Sequence, residues 1–128
     1  MSKTIIKTKK SPIPIGPYSQ GVQKNNFIFI SGQIPIQNES NYIPDDIKDQ
    51  TKLVLLYIEN ILNKAKLKVH NIVKTTIFVS NLNDFKNINK IYKNFFDKKK
   101  CTYPARSCVE VSRLPKEVKI EIEAIAIK

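Results

Sequence analysis

Arginine is scarce in a chain crowded with cations: only Arg106 and Arg113 among 22 Lys and Arg residues, against 11 Asp and Glu, a formal balance of +11. Arginine supplies the planar fork that grips phosphates and carboxylates in pairs, so its scarcity argues against a dedicated nucleic-acid surface. Asn and Ile are heavily used alongside Lys. That combination is what an A+T-rich coding bias produces, and we read most of the charge as compositional drift. Each remaining arginine then becomes a candidate for a position that needs the fork.

Other absences exclude whole chemistries. With one histidine, His70, and two cysteines, Cys101 and Cys108, seven positions apart, neither a CxxC nor a Cys/His zinc framework can be assembled, so no structural metal is expected. A hydrolytic triad lacks its parts. Three glycines, Gly16, Gly21 and Gly32, cannot make a phosphate-binding loop. Used so sparingly, each marks a place where a Cβ does not fit or backbone must come close, although plain turn glycine serves equally for Gly16 and Gly21. The most apolar run, Leu53 to Leu62, contains Glu59 and Asn60 and is too short to span a bilayer. No basic segment leads into a signal-peptide core. The expectation is a soluble, cytoplasmic protein with reduced cysteines.

What is present suffices for a core: 41% of the 128 residues are hydrophobic, enough for one domain of this length. Without repeats, linkers or a shift of composition, residues 1–128 read as a single domain. Thr4 to Lys7 suggests a short strand, followed by a turn-rich stretch with Pro12, Pro14, Gly16 and Pro17. Phe27 to Ile30 reads as a buried strand ending in a turn at Ser31-Gly32. Apolar residues at 47, 54, 58, 61 and 65 have the helical period, with Asp45-Asp46 at the N-terminus. Ile72 to Val79 is a β-branched strand. Asn83 or Asp84 would cap a second helix carrying Phe85, Ile88, Tyr92, Phe95 and Phe96, closed by Lys98-Lys99-Lys100 on a solvated face. Strands about Ala105 to Val111 and Val118 to Ile127 complete an α+β sheet of about six strands with two helices on one face.

Two helices cover one face, yet several strands are apolar on both. Ile125 and Ile127 lie opposite the Ile120, Ile122, Ala124 row, and Phe27 to Ile30 has no polar side. A second apolar face implies burial against another copy of the chain, hence a closed homo-oligomer.

In Pro104-Ala105-Arg106-Ser107-Cys108-Val109-Glu110, alternation puts Arg106, Cys108 and Glu110 on one face. A cation there, if that face is the oligomer seam, needs an anion. A protein carboxylate such as Glu121 or Glu123 would serve, and so would the carboxylate of a ligand. Cys108, with no second histidine to activate it, reads as a small semi-buried residue. Glu121 and Glu123 are either solvated or, at a closed interface, a base or water holder. Arg113, beside Pro115, suggests an ion pair.

These segments resemble a known family. Gly16-Pro17-Tyr18-Ser19-Gln20-Gly21, Ser31-Gly32-Gln33-Ile34-Pro35, the Pro104 to Val111 run, Leu114-Pro115 and Ile120-Glu121-Ile122-Glu123 are similar to the Rid (YjgF) family, most of all its RidA branch. The likeness runs from about residue 3 to the C-terminus. It implies a chorismate-mutase-like fold in a homotrimer, with sheets facing inward and ligand clefts between subunits. It also implies hydrolysis of 2-iminobutanoate and 2-iminopropanoate, released by pyridoxal-phosphate dehydratases, to 2-oxo acids and ammonia without a metal or organic cofactor. By the same resemblance Arg106 binds the substrate carboxylate and Glu121 places or activates the attacking water. Gly32 and Cys108 contact the ligand largely through backbone, Tyr18 closes the cleft, and Asn89 reaches it from the second helix. Members have also been described as RNA-directed translation inhibitors or endoribonucleases, and a ligand-binding module without turnover is a third possibility; neither a specific nucleic acid nor a membrane is expected as partner.

Overall fold

The computed structural model describes residues 2–128. Strands β1 (Thr4–Ile6), β2 (Gly21–Lys24) and β3 (Phe27–Gln33) precede helix α1 (Ile47–Lys64), strand β4 (Ile72–Val79), helix α2 (Phe85–Lys98) and strands β5 (Ala105–Glu110) and β6 (Ile120–Ile127). They form one mixed sheet in the order β1-β2-β3-β6-β4-β5, in which only the β4–β5 pair is parallel. Because β3 and β4 both run antiparallel to β6, they point the same way. Each helix therefore crosses over between strands of like direction, and the handedness of such crossovers sets both helices on one face, parallel to each other.

The helix α1 forms where the apolar period predicts. Asp46 caps it, Oδ1 accepting from the Lys48 amide at 2.7 Å, and Val54, Leu55, Ile58, Ile61 and Leu62 are buried. Opposite them lie Ile28 and Ile30 of β3, Ile77 and Val79 of β4, and Ile120, Ile122, Ala124 and Ala126 of β6, which make the core with Ile88, Tyr92 and Phe96 of α2. Gln50 ties the layers: Nε2 donates to the Pro44 carbonyl at 2.7 Å and Oε1 accepts from the Lys119 amide at 2.9 Å. Among the described residues no helix is long and apolar enough to cross a membrane.

The other face has no helices. Phe27, Phe29, Val109 and Ile5 remain 43–50% exposed on the strands, with the Phe27 and Phe29 rings stacked at 6.1 Å and Phe78, Ile125 and Ile127 half-buried between strands. The doubly apolar strands of the sequence are thus present as an uncovered sheet face.

Four details differ from expectation. Strand β2 forms after the turn-rich stretch, where no element is expected from the sequence; Asn25, at a φ of 53°, turns the chain into β3. Ser31-Gly32 is not a turn but strand, because β3 carries one extra residue: Ile30 faces Ala124 and Gln33 faces Ile122, a β-bulge. Asp84 holds the N-cap of α2 without a side-chain bond. A 3₁₀ turn, Leu82–Asp84, precedes the helix and already puts Asp84 in helical backbone, so its carboxylate cannot fold back; Asn81 and Glu110 accept the free amides of Asn83 and Leu82 at 2.9 Å instead. Lys98 and Lys100 are exposed as expected, but Lys99 is half-buried: it reaches Glu59 of α1 at 2.7 Å and sits over the Phe95 ring.

Candidate active site

Arg106 enters at the start of edge strand β5, opposite Thr75 of β4. Thr75 and Ile77 are buried under the helices, so register puts Arg106 and Cys108 on the helix side of the sheet. Above them Phe85, Asn89 and Tyr92 share one face of α2, four and seven residues apart. The guanidinium carbon lies 5.3 Å from the Phe85 ring and 5.0 Å from that of Tyr92, and Nη1 donates to Asn89 Oδ1 at 2.7 Å. The Tyr92 hydroxyl and Thr75 Oγ1 are 2.7 Å apart; burial raises the phenol's pKa, keeping it neutral. Arg106 is in none of the ion pairs among the described residues. The remaining donors face a cavity of about 440 Å3 walled by Asn89, Tyr92, Lys93, Tyr103 and Pro104.

Glu121 lies on β6 and points to the opposite, helix-free face. Its carboxylate rests on Gly32: a Cβ there would stand 1.9 Å from Glu121 Oε2 and 2.8 Å from Cδ. Only glycine leaves the carboxylate that seat. Around it Tyr18, Ser31, Gly32, Ile34 and Pro115 line a second cavity of about 420 Å3. The loop carrying Tyr18 turns at Gly16, whose φ is 131°, and is fastened twice. Ser31 Oγ donates to the Ser19 carbonyl at 2.6 Å, and the buried Gln20 amide donates to the carbonyls of Thr8 and Pro12 at 2.9 Å while accepting from the Thr8 amide. Among the described residues no group of three His, Cys, Asp or Glu is placed to hold a metal.

The site residues named from the sequence therefore fall into two groups. Arg106, Asn89 and Cys108 gather under α2, while Tyr18, Gly32 and Glu121 gather on the open face. Within one chain Glu121 and Glu123 cannot pair with Arg106, because their strand faces are opposite. Nor does Arg106 lie on the apolar face itself.

Comparison with known proteins settles the family. The profile of the endoribonuclease L-PSP family, which comprises the YjgF or Rid proteins, matches residues 8–128. The chain belongs to the Rid family. It is 59% identical over 124 residues to a RutC family protein of Buchnera aphidicola, covering 97% of each. To the 2-iminobutanoate/2-iminopropanoate deaminase of Escherichia coli K12 it is 52% identical over 128 residues, covering 100% of this chain and 99% of the relative. The crystal structure of E. coli TdcF with bound serine superposes with a TM-score of 0.95 at 50% identity over 98% of both chains.

In this Rid protein two further candidate-site groups, Cys108 and Glu121, are displaced from their ordinary behaviour. Burial pushes the Cys108 thiol up despite the opposing Arg106 charge, so the thiol stays protonated and is a poor nucleophile. Burial, reinforced by Glu123, raises the Glu121 pKa, which gives that carboxylate a greater appetite for a proton. A carboxyl whose folded pKa exceeds its unfolded value of about 4.3 binds more protons when folded, so stability falls as pH rises through that interval. Glu121→Gln is accordingly expected to melt above wild type at neutral pH. The two should converge as the pH approaches the unfolded value, and equal melting temperatures at neutral pH would contradict the desolvated carboxylate.

Sequence reasoning missed the stacked walls of the Arg106 slot. Phe85 and Tyr92 were assigned to the core stripe, and only their spacing around Asn89 hinted at a shared face towards β5.

Proposed function

We infer that the protein hydrolyses reactive 2-imino acids, 2-iminobutanoate and 2-iminopropanoate, to 2-oxo acids and ammonia, in clefts between copies of a homotrimer in the cytoplasm. One observation carries the reading. Arg106 is a half-buried guanidinium, oriented by two rings and an amide, with no carboxylate among the described residues in an ion pair with it; a small carboxylate completes it. The near-full-length likeness to an imine deaminase supports the same chemistry.

The substrate carboxylate binds the Arg106 fork, which sets the imine carbon at a fixed height above the slot. Glu121 of an adjacent copy holds a water against that carbon. As the water oxygen bonds to the carbon, its proton passes to the carboxylate and the C=N π electrons go to nitrogen. The proton then moves from Glu121 to that nitrogen, the C–N bond breaks with its electrons, and ammonia leaves as the hydroxyl oxygen forms the carbonyl and gives its proton to the regenerated Glu121 carboxylate, which releases it to the departing ammonia. An iminium carbon is already electrophilic, so orientation and one poised water are sufficient. Tyr18 closes the cleft and Gly32 and Cys108 border it through backbone.

The trimer is supported by the uncovered apolar sheet face beside Glu121, whose burial against a copy would bring the two groups of residues together. Sedimentation at micromolar concentration is expected to give a trimer, and a monomer would remove the cleft. The activity itself is tested by coupling the protein to a pyridoxal-phosphate threonine dehydratase and trapping free imine with semicarbazide. Less trapped imine is the expected result; an unchanged amount would refute the reading.

A further inference from the structure

On its α1 side, α2 borders a second concavity that shares no wall with the Arg106 slot. Helices α1 and α2 run side by side, and the groove between them encloses about 510 Å3. Its floor is apolar: Leu55 and Ile91 are buried, Phe95 is half-buried, and Leu56 is left 46% exposed. Both banks are cationic. Lys48 and Lys52, one turn apart, rise from α1, and Lys90 and Lys98, two turns apart, rise from α2. The one carboxylate on the lining, Glu59, is already taken by Lys99 at 2.7 Å. None of the other four lysines is in an ion pair among the described residues.

An apolar floor between two rows of ammonium groups has a specific complement. The eight residue steps from Lys90 to Lys98 span about 12 Å of helix axis, a little over two turns. A helix of that length fits when its apolar stripe at i, i+3, i+4 and i+7 lies on Leu56 and Phe95 and its flanking positions carry Asp or Glu. Nucleic acid fits less well, because it offers the floor no aliphatic stripe and the groove offers the phosphates no arginine. The groove lies across the sheet from the apolar face and stays open when that face is covered. We propose that the groove between α1 and α2 docks an acidic amphipathic helix of a partner protein, its aliphatic stripe on Leu56 and Phe95 and its carboxylates between the lysine rows.

The test uses the full-length assembled protein and a fluorescein-labelled peptide of about 18 residues, long enough for a marginal isolated helix, with Leu at i, i+3, i+4 and i+7 and Glu at the flanking positions. Fluorescence anisotropy should show saturable binding. A peptide of the same composition with its leucines dispersed should bind at least about tenfold more weakly, and so should wild-type peptide to Leu56→Asp or to Lys52→Glu/Lys90→Glu, each loss being about 1.4 kcal/mol. Leu56, Lys52 and Lys90 are surface residues outside the Arg106 and Glu121 cavities, so imine hydrolysis should be unchanged in these variants, which keeps failure of the groove separate from failure of the cleft. Equal binding of the dispersed peptide would reduce the effect to charge attraction and overturn the proposal. So would an unaffected Leu56→Asp, or a single-stranded RNA that outcompetes the peptide and loses affinity in the same variants.

Discussion

Arg106→Ala is expected to lower kcat/KM for imine hydrolysis by about a thousandfold, roughly 4 kcal/mol, the scale of removing one partner from a desolvated, hydrogen-bonded charge pair. The slot explains the size of the loss. Two aromatic faces and the Asn89 carbonyl oxygen hold the guanidinium plane, so a bound carboxylate meets donors that need no further ordering. Lysine keeps the charge without the fork or the stacking, so Arg106→Lys should recover only a small part of the activity. Assembly should be unaffected, since Arg106 lies under α2 and not on the uncovered sheet face. Stopped-flow trapping with semicarbazide measures the rate and sedimentation the assembly; an assembled Arg106→Ala protein within a few-fold of wild type would remove Arg106 from the site.

Mixing two inactive variants should restore activity. If Arg106 and Glu121 act on one substrate from different copies, Arg106→Ala and Glu121→Ala homotrimers are each impaired at every cleft. Unfolded together in equal amounts and refolded, the chains assemble at random. A cleft is intact when its arginine comes from a Glu121→Ala chain and its glutamate from an Arg106→Ala chain, which occurs at about one cleft in four. The mixture should therefore regain about a quarter of wild-type activity from near zero. No recovery, in mixed trimers verified by mass spectrometry, would mean that the two residues do not share a substrate.

Much of this was legible in the residue pattern, for identifiable reasons. The α1 period and Asp46, and the β-branched run Ile72 to Val79, are local signals that the core later confirms. The bulge in β3 was not legible, since it arises from register against β6, about ninety positions away in the chain, and a Ser-Gly pair reads locally as a turn. The cap position of α2 was legible as Asn83 or Asp84, but the missing side-chain bond of Asp84 was not, because a 3₁₀ turn shifts the first free amides back to Leu82 and Asn83. Family resemblance named candidate residues, but alternation alone could not say which sheet face carried them: Arg106 goes to the helix side only because parallel pairing sets it against Thr75, and that register depends on the whole sheet.

The stacked slot also fixes a division of labour. A carboxylate is common to the 2-imino acid and the 2-oxo acid it becomes, so if Arg106 binds the substrate carboxylate as proposed, it holds reactant and product alike. Affinity of that kind lowers KM without speeding the chemical step and makes the spent molecule slow to leave. Telling C=N from C=O thus falls to the side of the cleft where Glu121 lies on bare Gly32 backbone. On that proposal, accumulating 2-oxo acid is expected to occupy the arginine half of the cleft and inhibit the protein that has just made it.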